Sequence, residues 1–268
     1  MSATSPSSSN VQPGYTYRRD LPFSTKRIIG ADGRIGLIIL ASDYTLEHEF
    51  RLVLQELDRP GLALYHARIA NDPKITVSSL RAMEASIADM ADTLLPGDQL
   101  DVISYCCTSA SFVLGPARID AILERSKPGA RKTNPASAAI AALKALEAKR
   151  VAVLTPYADD INKQIASTLT ESGFTIAAFG SFSEEHDAVV SQITAESVFT
   201  ALETLIINRS VDAAFVSCTS IGILLDIAAM EARLGIPVVS SNQALAWHCL
   251  RLAGCETRAD RFGKLFSI

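Results

Sequence analysis

The chain has no surplus of positive charge, no long apolar run and no paired-cysteine motif, and each absence closes off a class of function. Lys and Arg number 25 against 29 Asp and Glu, for a net charge of -4. No basic stripe is therefore available to displace counterions from a phosphate backbone, and a nucleic-acid partner is not expected. No apolar stretch approaches the roughly 20 residues needed to cross a bilayer, and the N-terminus has no apolar signal core. The expectation is a cytoplasmic protein with no membrane partner. The five cysteines, at positions 106, 107, 218, 249 and 255, form an odd set without a C-x-x-C pair. Such a set suits reduced thiols rather than a disulfide framework.

Ready-made cofactor seats are missing too. There is no G-x-x-x-x-G-K-[ST] loop, and Gly30-x-x-Gly33-x-x-Gly36 precedes its strand, whereas a nucleotide fingerprint must follow one. His248-Cys249 alone does not supply the convergent, spaced ligands of a zinc site. The sequence thus predicts no cofactor and no metal.

What is present is a duplication. Asp101 to Ser109 reads DVISYCCTS and Asp212 to Ser220 reads DAAFVSCTS, both D-x5-C-T-S with an apolar stretch before the triplet. Two further segments repeat: Arg34-Ile-Gly-Leu-Ile resembles Arg150-Val-Ala-Val-Leu, and Thr133-Asn-Pro-Ala resembles Ser241-Asn-Gln-Ala. The offsets from Arg34 to Arg150, Cys107 to Cys218 and Asn134 to Asn242 are 116, 111 and 108 residues. A period this long is not a solenoid. It fits two lobes related by pseudo-symmetry, with corresponding strand ends facing across a cleft.

At 268 residues, 48% of them hydrophobic, the chain can bury one large core or two compact ones. Short apolar runs predict buried strands at 35–41, 61–67, 100–105, 151–155, 174–179, 212–217 and 236–240. Helical periodicity lies between them, as at 75–95, 137–149, 159–172, 195–209, 221–234 and 243–253. The alternation implies an α/β fold of two lobes, each a parallel sheet covered by helices. The expected divisions are a leader at 1–33, lobes at 34–145 and 146–254 with the last helix packing back on the first lobe, and a tail at 255–268. The Ser-, Thr- and Pro-rich leader lacks hydrophobic periodicity and reads as a disordered or strandless arm.

In such sheets ligands gather at the carboxyl ends of the strands, where both Cys-Thr-Ser triplets fall. Ser109 and Ser220 are read as N-caps of helices over 110–123 and 221–234, which would lower the pKa of Cys107 and Cys218 and offer N–H groups to a carboxylate. Two thiols opposed across one carbon allow addition or proton removal on one face and proton delivery on the other. That chemistry is racemisation, epimerisation or cis–trans isomerisation. Cys106 is turned away by strand alternation and assigned to packing, as are Cys249 and Cys255. His186, in the charged run SEEHD, and His48 and His66 are read as surface groups; Trp247 is read as a core anchor. Asn242 and its counterpart Asn134 are left between substrate contact and helix cap.

The segments ILASDYTLEHE, YCCTSAS, VAVLTPYADD, SCTSIG and IPVVSSNQALAWHCLRLAG resemble the aspartate/glutamate racemase superfamily. The resemblance is to the branch of maleate isomerase and arylmalonate decarboxylase, nearest to the ectoine-utilisation racemase-like proteins. It covers residues 34 to 255. It implies a nucleophile at Cys107, a proton donor at Cys218, and substrate carboxylates held by Thr108, Ser109, Tyr157 and Thr219. It also implies a homo-oligomer. Maleate isomerases carry an asparagine near the end of the first strand where this chain has Ser42-Asp43-Tyr44. Asp43, unless it caps the next helix, would favour a small carboxylate substrate bearing an amino or acylamino group over maleate. Two other readings stay open: malonate decarboxylation through Cys218 alone, and a small-molecule sensor without chemistry.

Overall fold

Seven short apolar runs and one polar segment become strands and pair into two separate sheets. The computed structural model describes Tyr15 and residues 17 to 268. The first half contains β1 (Gly33–Leu40), α1 (Leu46–Leu57), β2 (Leu62–Ile69), α2 (Val77–Ala82), α3 (Glu84–Thr93), β3 (Val102–Cys106), α4 (Thr108–Leu114), α5 (Pro116–Ser126), β4 (Arg131–Thr133) and α6 (Pro135–Ala145). The second contains β5 (Arg150–Thr155), α7 (Asp159–Glu171), β6 (Thr175–Ser181), α8 (Asp187–Val190), α9 (Ala195–Ile206), β7 (Ala213–Val216), α10 (Ile227–Leu234), β8 (Val238–Ser240) and α11 (Ser241–Leu252). Two short 3-10 turns, Asp260–Phe262 and Lys264–Ser267, close the chain.

Both sheets are four-stranded and wholly parallel, in the orders β2-β1-β3-β4 and β6-β5-β7-β8. The two orders are identical once the second half is renumbered from one, so the repeat read from the sequence is a repeat of topology. Strands β3 and β7 are buried along their whole length, as expected of parallel strands covered on both faces.

The repeated aspartates explain one end of each β3-type strand. Asp101 Oδ2 accepts the Arg34 N–H at 2.7 Å, and Asp212 Oδ2 accepts the Lys149 and Arg150 N–H groups at 2.9 and 2.7 Å. Each aspartate therefore ties the start of its strand to the start of the neighbouring one. The cysteine six residues on is carried to the opposite end of the sheet.

Several boundaries differ from the sequence reading. The helix expected over 75–95 is two helices meeting at Met83. The one expected over 110–123 begins earlier, at Thr108, and breaks at Gly115, whose φ of 88° precedes Pro116. Strand β4 was not expected, since Arg-Lys-Thr carries no apolar run. Residues 17–32 form no helix or strand, and Arg27 pairs with Asp101 at 2.9 Å. The remainder of the expected leader lies outside the described residues.

Helix α11 packs on α6, α1, β3 and β4 of the first half as well as on β8. It starts from a capping box in which Ser240 Oγ accepts the Gln243 N–H at 3.1 Å. Asn134 caps α6 in the same way through Ser137 N at 3.0 Å. The structural counterpart of Asn134 is thus Ser240 rather than Asn242. Phe262, Leu265 and Phe266 of the closing turns are fully buried, so this segment is part of the core. No helix among the described residues is long and apolar enough to cross a membrane.

Candidate active site

The two triplets meet in one cavity. Cys107, Thr108, Ser109, Cys218, Thr219 and Ser220 line it, together with Tyr157, Asn71, Lys74, Met83 and Asp187. Its empty space is about 360 Å³, of which only about 10 Å³ admits the centre of a water molecule. Six of the seven site residues singled out from the sequence are therefore brought together: Cys107, Cys218, Thr108, Ser109, Tyr157 and Thr219.

Asp43 is the seventh, and it is not among the lining residues. Its Oδ1 accepts the N–H groups of Thr45 and Leu46, both at 2.8 Å, which closes the first turn of α1. Its Oδ2 has no well-formed hydrogen bond. The structure therefore gives Asp43 the capping role, with its free oxygen buried beneath the site.

Cys107 occupies the N-cap position of α4, directly after β3, and its Sγ lies 3.6 Å from Ser109 Oγ. The cap falls on Cys107, not on Ser109 as the sequence suggested. The second triplet is held differently. No helix begins until Ile227, so Ser220 is not an N-cap and residues 217–226 form an irregular loop. Side chains from other elements fix that loop. Ser241 Oγ accepts the Cys218 N–H at 3.1 Å, and Asn242 Nδ2 donates to Thr219 O at 2.8 Å. From the first half, Thr45 Oγ1 donates to Ser220 O at 3.0 Å, and Glu49 accepts from Leu224 N at 2.9 Å and from Asn242 Nδ2 at 2.7 Å. Gly222 packs so tightly there that an added Cβ would sit 2.6 Å from Thr45 Cγ2.

Tyr157 follows β5 and is fully buried. Its carbonyl is clamped by Asn162 Nδ2 at 2.7 Å and Ser181 Oγ at 2.5 Å, and its hydroxyl faces the Cys218 thiol. Tyr105, the inward residue two before Cys107, sits against that thiol and donates to Met83 Sδ at 3.8 Å.

Electrostatically the two thiols are neutral in the empty site. Burial pushes Cys107 up to about 11, opposed by hydrogen bonds from the Ser109 hydroxyl and the Ala110 N–H. Burial pushes Cys218 up to about 12, opposed by the Tyr157 hydroxyl and the Ser220 N–H. The lowering expected from helix N-termini is thus outweighed by desolvation, and the nearby carboxylates of Asp187 and Asp43 add to the rise. Cys107 is the one of the two that has a helix start behind it.

Residues 65–266 match the arylmalonate decarboxylase family. The chain belongs to that family. Within it, the relatives place the chain on the maleate isomerase branch of the aspartate/glutamate racemase-like proteins. Maleate isomerase from Nocardia farcinica is 30% identical over 245 residues, covering 87% of this chain and 94% of the relative. Arylmalonate decarboxylase from Bordetella bronchiseptica is 32% identical over 169 residues, covering 62% of this chain and 70% of the relative. Among solved structures, a cysteine-to-serine variant of the Nocardia farcinica maleate cis-trans isomerase, with a covalently bound succinylcysteine intermediate, aligns with TM-score 0.81 at 25% identity. That alignment covers 88% of this chain and 98% of the other.

The family fold brings in residues that periodicity did not reveal. Asn71 and Lys74 come from the loop after β2, and Asp187 from the start of α8. Asp187 is buried, whereas its neighbour His186 is exposed and bonds Glu184 instead. The charged run SEEHD did carry a cavity residue, one position beyond the histidine. His48 and His66 lie outside the cavity, and His66 sits 3.5 Å from Glu47 on edge strand β2. Cys106 and Cys249 are buried in packing, away from the cavity, and Cys255 borders Thr257.

Proposed function

We propose that this chain is a cofactor-independent isomerase, a racemase or a cis–trans isomerase, acting on a small carboxylate with an amino or acylamino substituent. The observation that carries this reading is the convergence of two thiols, from equivalent positions of the two halves, on one closed cavity. Their neighbours supply donors for a carboxylate. Thr108 Oγ1 is buried and unpartnered, the Ser109 and Tyr157 hydroxyls stand beside the sulfurs, and the Thr219 hydroxyl faces Asp43.

Turnover needs one thiolate and one thiol. The neutral pair therefore first gives up one proton to solvent, and Cys107, the one at a helix start, is assigned to lose it and become the thiolate. In cis–trans isomerisation its sulfur adds to one alkene carbon while the Cys218 thiol gives its proton to the other. Rotation about the resulting single bond, return of that proton to Cys218 and loss of the C–S bond then release the other isomer. In racemisation one sulfur removes the α-proton and the other delivers its own to the opposite face, so the roles exchange each turnover. Both cycles conserve the single proton of the pair. Donation from Tyr157 to Cys218, and from Ser109 to Cys107, stabilises whichever sulfur carries the charge.

The test is incubation with amino and acylamino acids in heavy water, followed by NMR. The expected result is deuterium at a substrate carbon for racemisation or appearance of the geometric isomer for cis–trans isomerisation, with Cys107→Ala and Cys218→Ala each lowering turnover by roughly 10²–10⁴-fold. Full activity in Cys107→Ala would end the two-thiol mechanism. Family membership favours one rival, decarboxylation through Cys218 alone, which predicts carbon dioxide release that survives Cys107→Gly. Tight ligand binding with neither deuterium incorporation nor isomer formation would instead mark a sensor.

A further inference from the structure

The cavity wall between the two thiols holds a carboxylate that the isomerase cycle does not use. Asp187 is only 4% exposed and lines the cavity alongside Cys107, Cys218 and Thr108. Its partners are all neutral. Ser42 Oγ donates to Oδ2 at 2.5 Å, and Ser220 Oγ reaches Oδ1 at 3.4 Å. The one cation among the described lining residues, Lys74, is turned to Glu185 at 3.2 Å and stays half exposed. Asp43, whose side chain faces the Thr219 hydroxyl, adds a second buried carboxyl nearby, and burial raises the pKa of both acids. A carboxylate buried without a cation is costly unless a partner arrives with the ligand.

The same cavity offers the opposite chemistry elsewhere. Thr108 Oγ1 is buried, 1% exposed and without a hydrogen-bond partner, at the first turn of α4. It points to an acceptor in the ligand, while Asp187 points to a donor that carries positive charge. A dicarboxylate would place one of its two anionic ends against Asp187, and like charges in a dry site repel strongly.

Resting on the proposed isomerase reading, we infer that the substrate is zwitterionic: a small acid whose carboxylate is held at Thr108 and whose cationic nitrogen pairs with Asp187. Asp187 is then the residue that sets specificity, selecting ammonium-bearing acids and rejecting dianions.

Calorimetric binding to the full-length protein tests this with two matched pairs, 3-aminopropanoate against succinate and 4-aminobutanoate against glutarate. Within each pair a carboxylate replaces the ammonium. The wild type is expected to bind the amino member at least tenfold more tightly. Asp187→Asn is expected to lose at least tenfold for the amino members and to gain for the diacids. A wild type that prefers the diacids, shows no preference or binds neither member of a pair overturns the inference, whether or not the variant folds. So does an Asp187→Asn protein with intact melting behaviour and unchanged preference. Binding is read without turnover, so silent thiol variants would sink the isomerase cycle and leave this result standing.

Discussion

Glu49 shows how much of the site rests on one side chain outside it. The residue lies on α1, is 5% exposed, and bonds both Leu224 and Asn242, which in turn hold the loop of Cys218. Burial pushes its carboxyl up to about 7 from 4.5, with the Asp43 and Asp226 charges adding to the rise against the two hydrogen bonds. A folded-state pKa above the unfolded one means that the native protein binds the extra proton. Its contribution to stability is therefore complete below about pH 4.5 and is lost as pH rises through about 7. The full swing is at most about 3 kcal/mol. Glu49→Gln cannot ionise, so its melting temperature relative to wild type should climb between pH 5 and pH 8. A difference that stays flat across that window would show that Glu49 does not titrate there. No sequence signal marked this glutamate, because its partners are 175 and 193 residues away.

At the scale of elements, the cavity is closed by two loops, one from each half. Ile75 N donates to Glu185 O at 2.8 Å, Asp187 N to Pro73 O at 3.3 Å, and Lys74 and His186 are antiparallel bridge partners. A cavity with room for about one water is too small to hold a substrate as it stands, and this seam is where it is expected to widen. Bridge partners in antiparallel pairs have Cα atoms about 4.5–5.5 Å apart, within reach of a disulfide. The double variant Lys74→Cys/His186→Cys, oxidised, should protect Cys107 from iodoacetamide and lose turnover, with both restored by a reductant. Equal alkylation of Cys107 in the oxidised and reduced forms would place the access route elsewhere. This seam was not legible in the sequence, because residues 71–76 and 182–187 are polar and aperiodic and acquire meaning only when the halves meet. The strands and the thiols were legible, because β1, β3, β5 and β7 are largely apolar runs and β3 and β7 lead into a repeated triplet. The second triplet misled in one respect: Ile221, Ile223 and Leu224 look like the start of a helix, yet contacts to Thr45 and Glu49 hold them in a loop.

Two separate sheets would melt one at a time if nothing joined them, but one hydrophobic core runs through both halves. The last helix, α11, belongs to the second half by sequence but lies on α6, α1, β3 and β4 of the first. Its Asn242 reaches Glu49, while its Ser241 and Gln243 bond Cys218 N and Phe262 O. Unfolding the first sheet alone would strip that helix of most of its packing, and unfolding the second would break its bonds to Cys218 N and Phe262 O, leaving buried polar groups unpaired. The single tryptophan, Trp247, sits on α11 and is 8% exposed, so its fluorescence reports the junction. Far-UV circular dichroism reports both sheets and all the helices. The expected outcome in urea is one transition with coincident midpoints for the two signals, the mark of a single cooperative unit. A tryptophan transition that precedes or trails the dichroism would mean that the halves are held together too weakly to unfold as one. The thiol pair would then depend on an interface that opens below the global stability, since Cys107 and Cys218 share a cavity only while both halves stay joined.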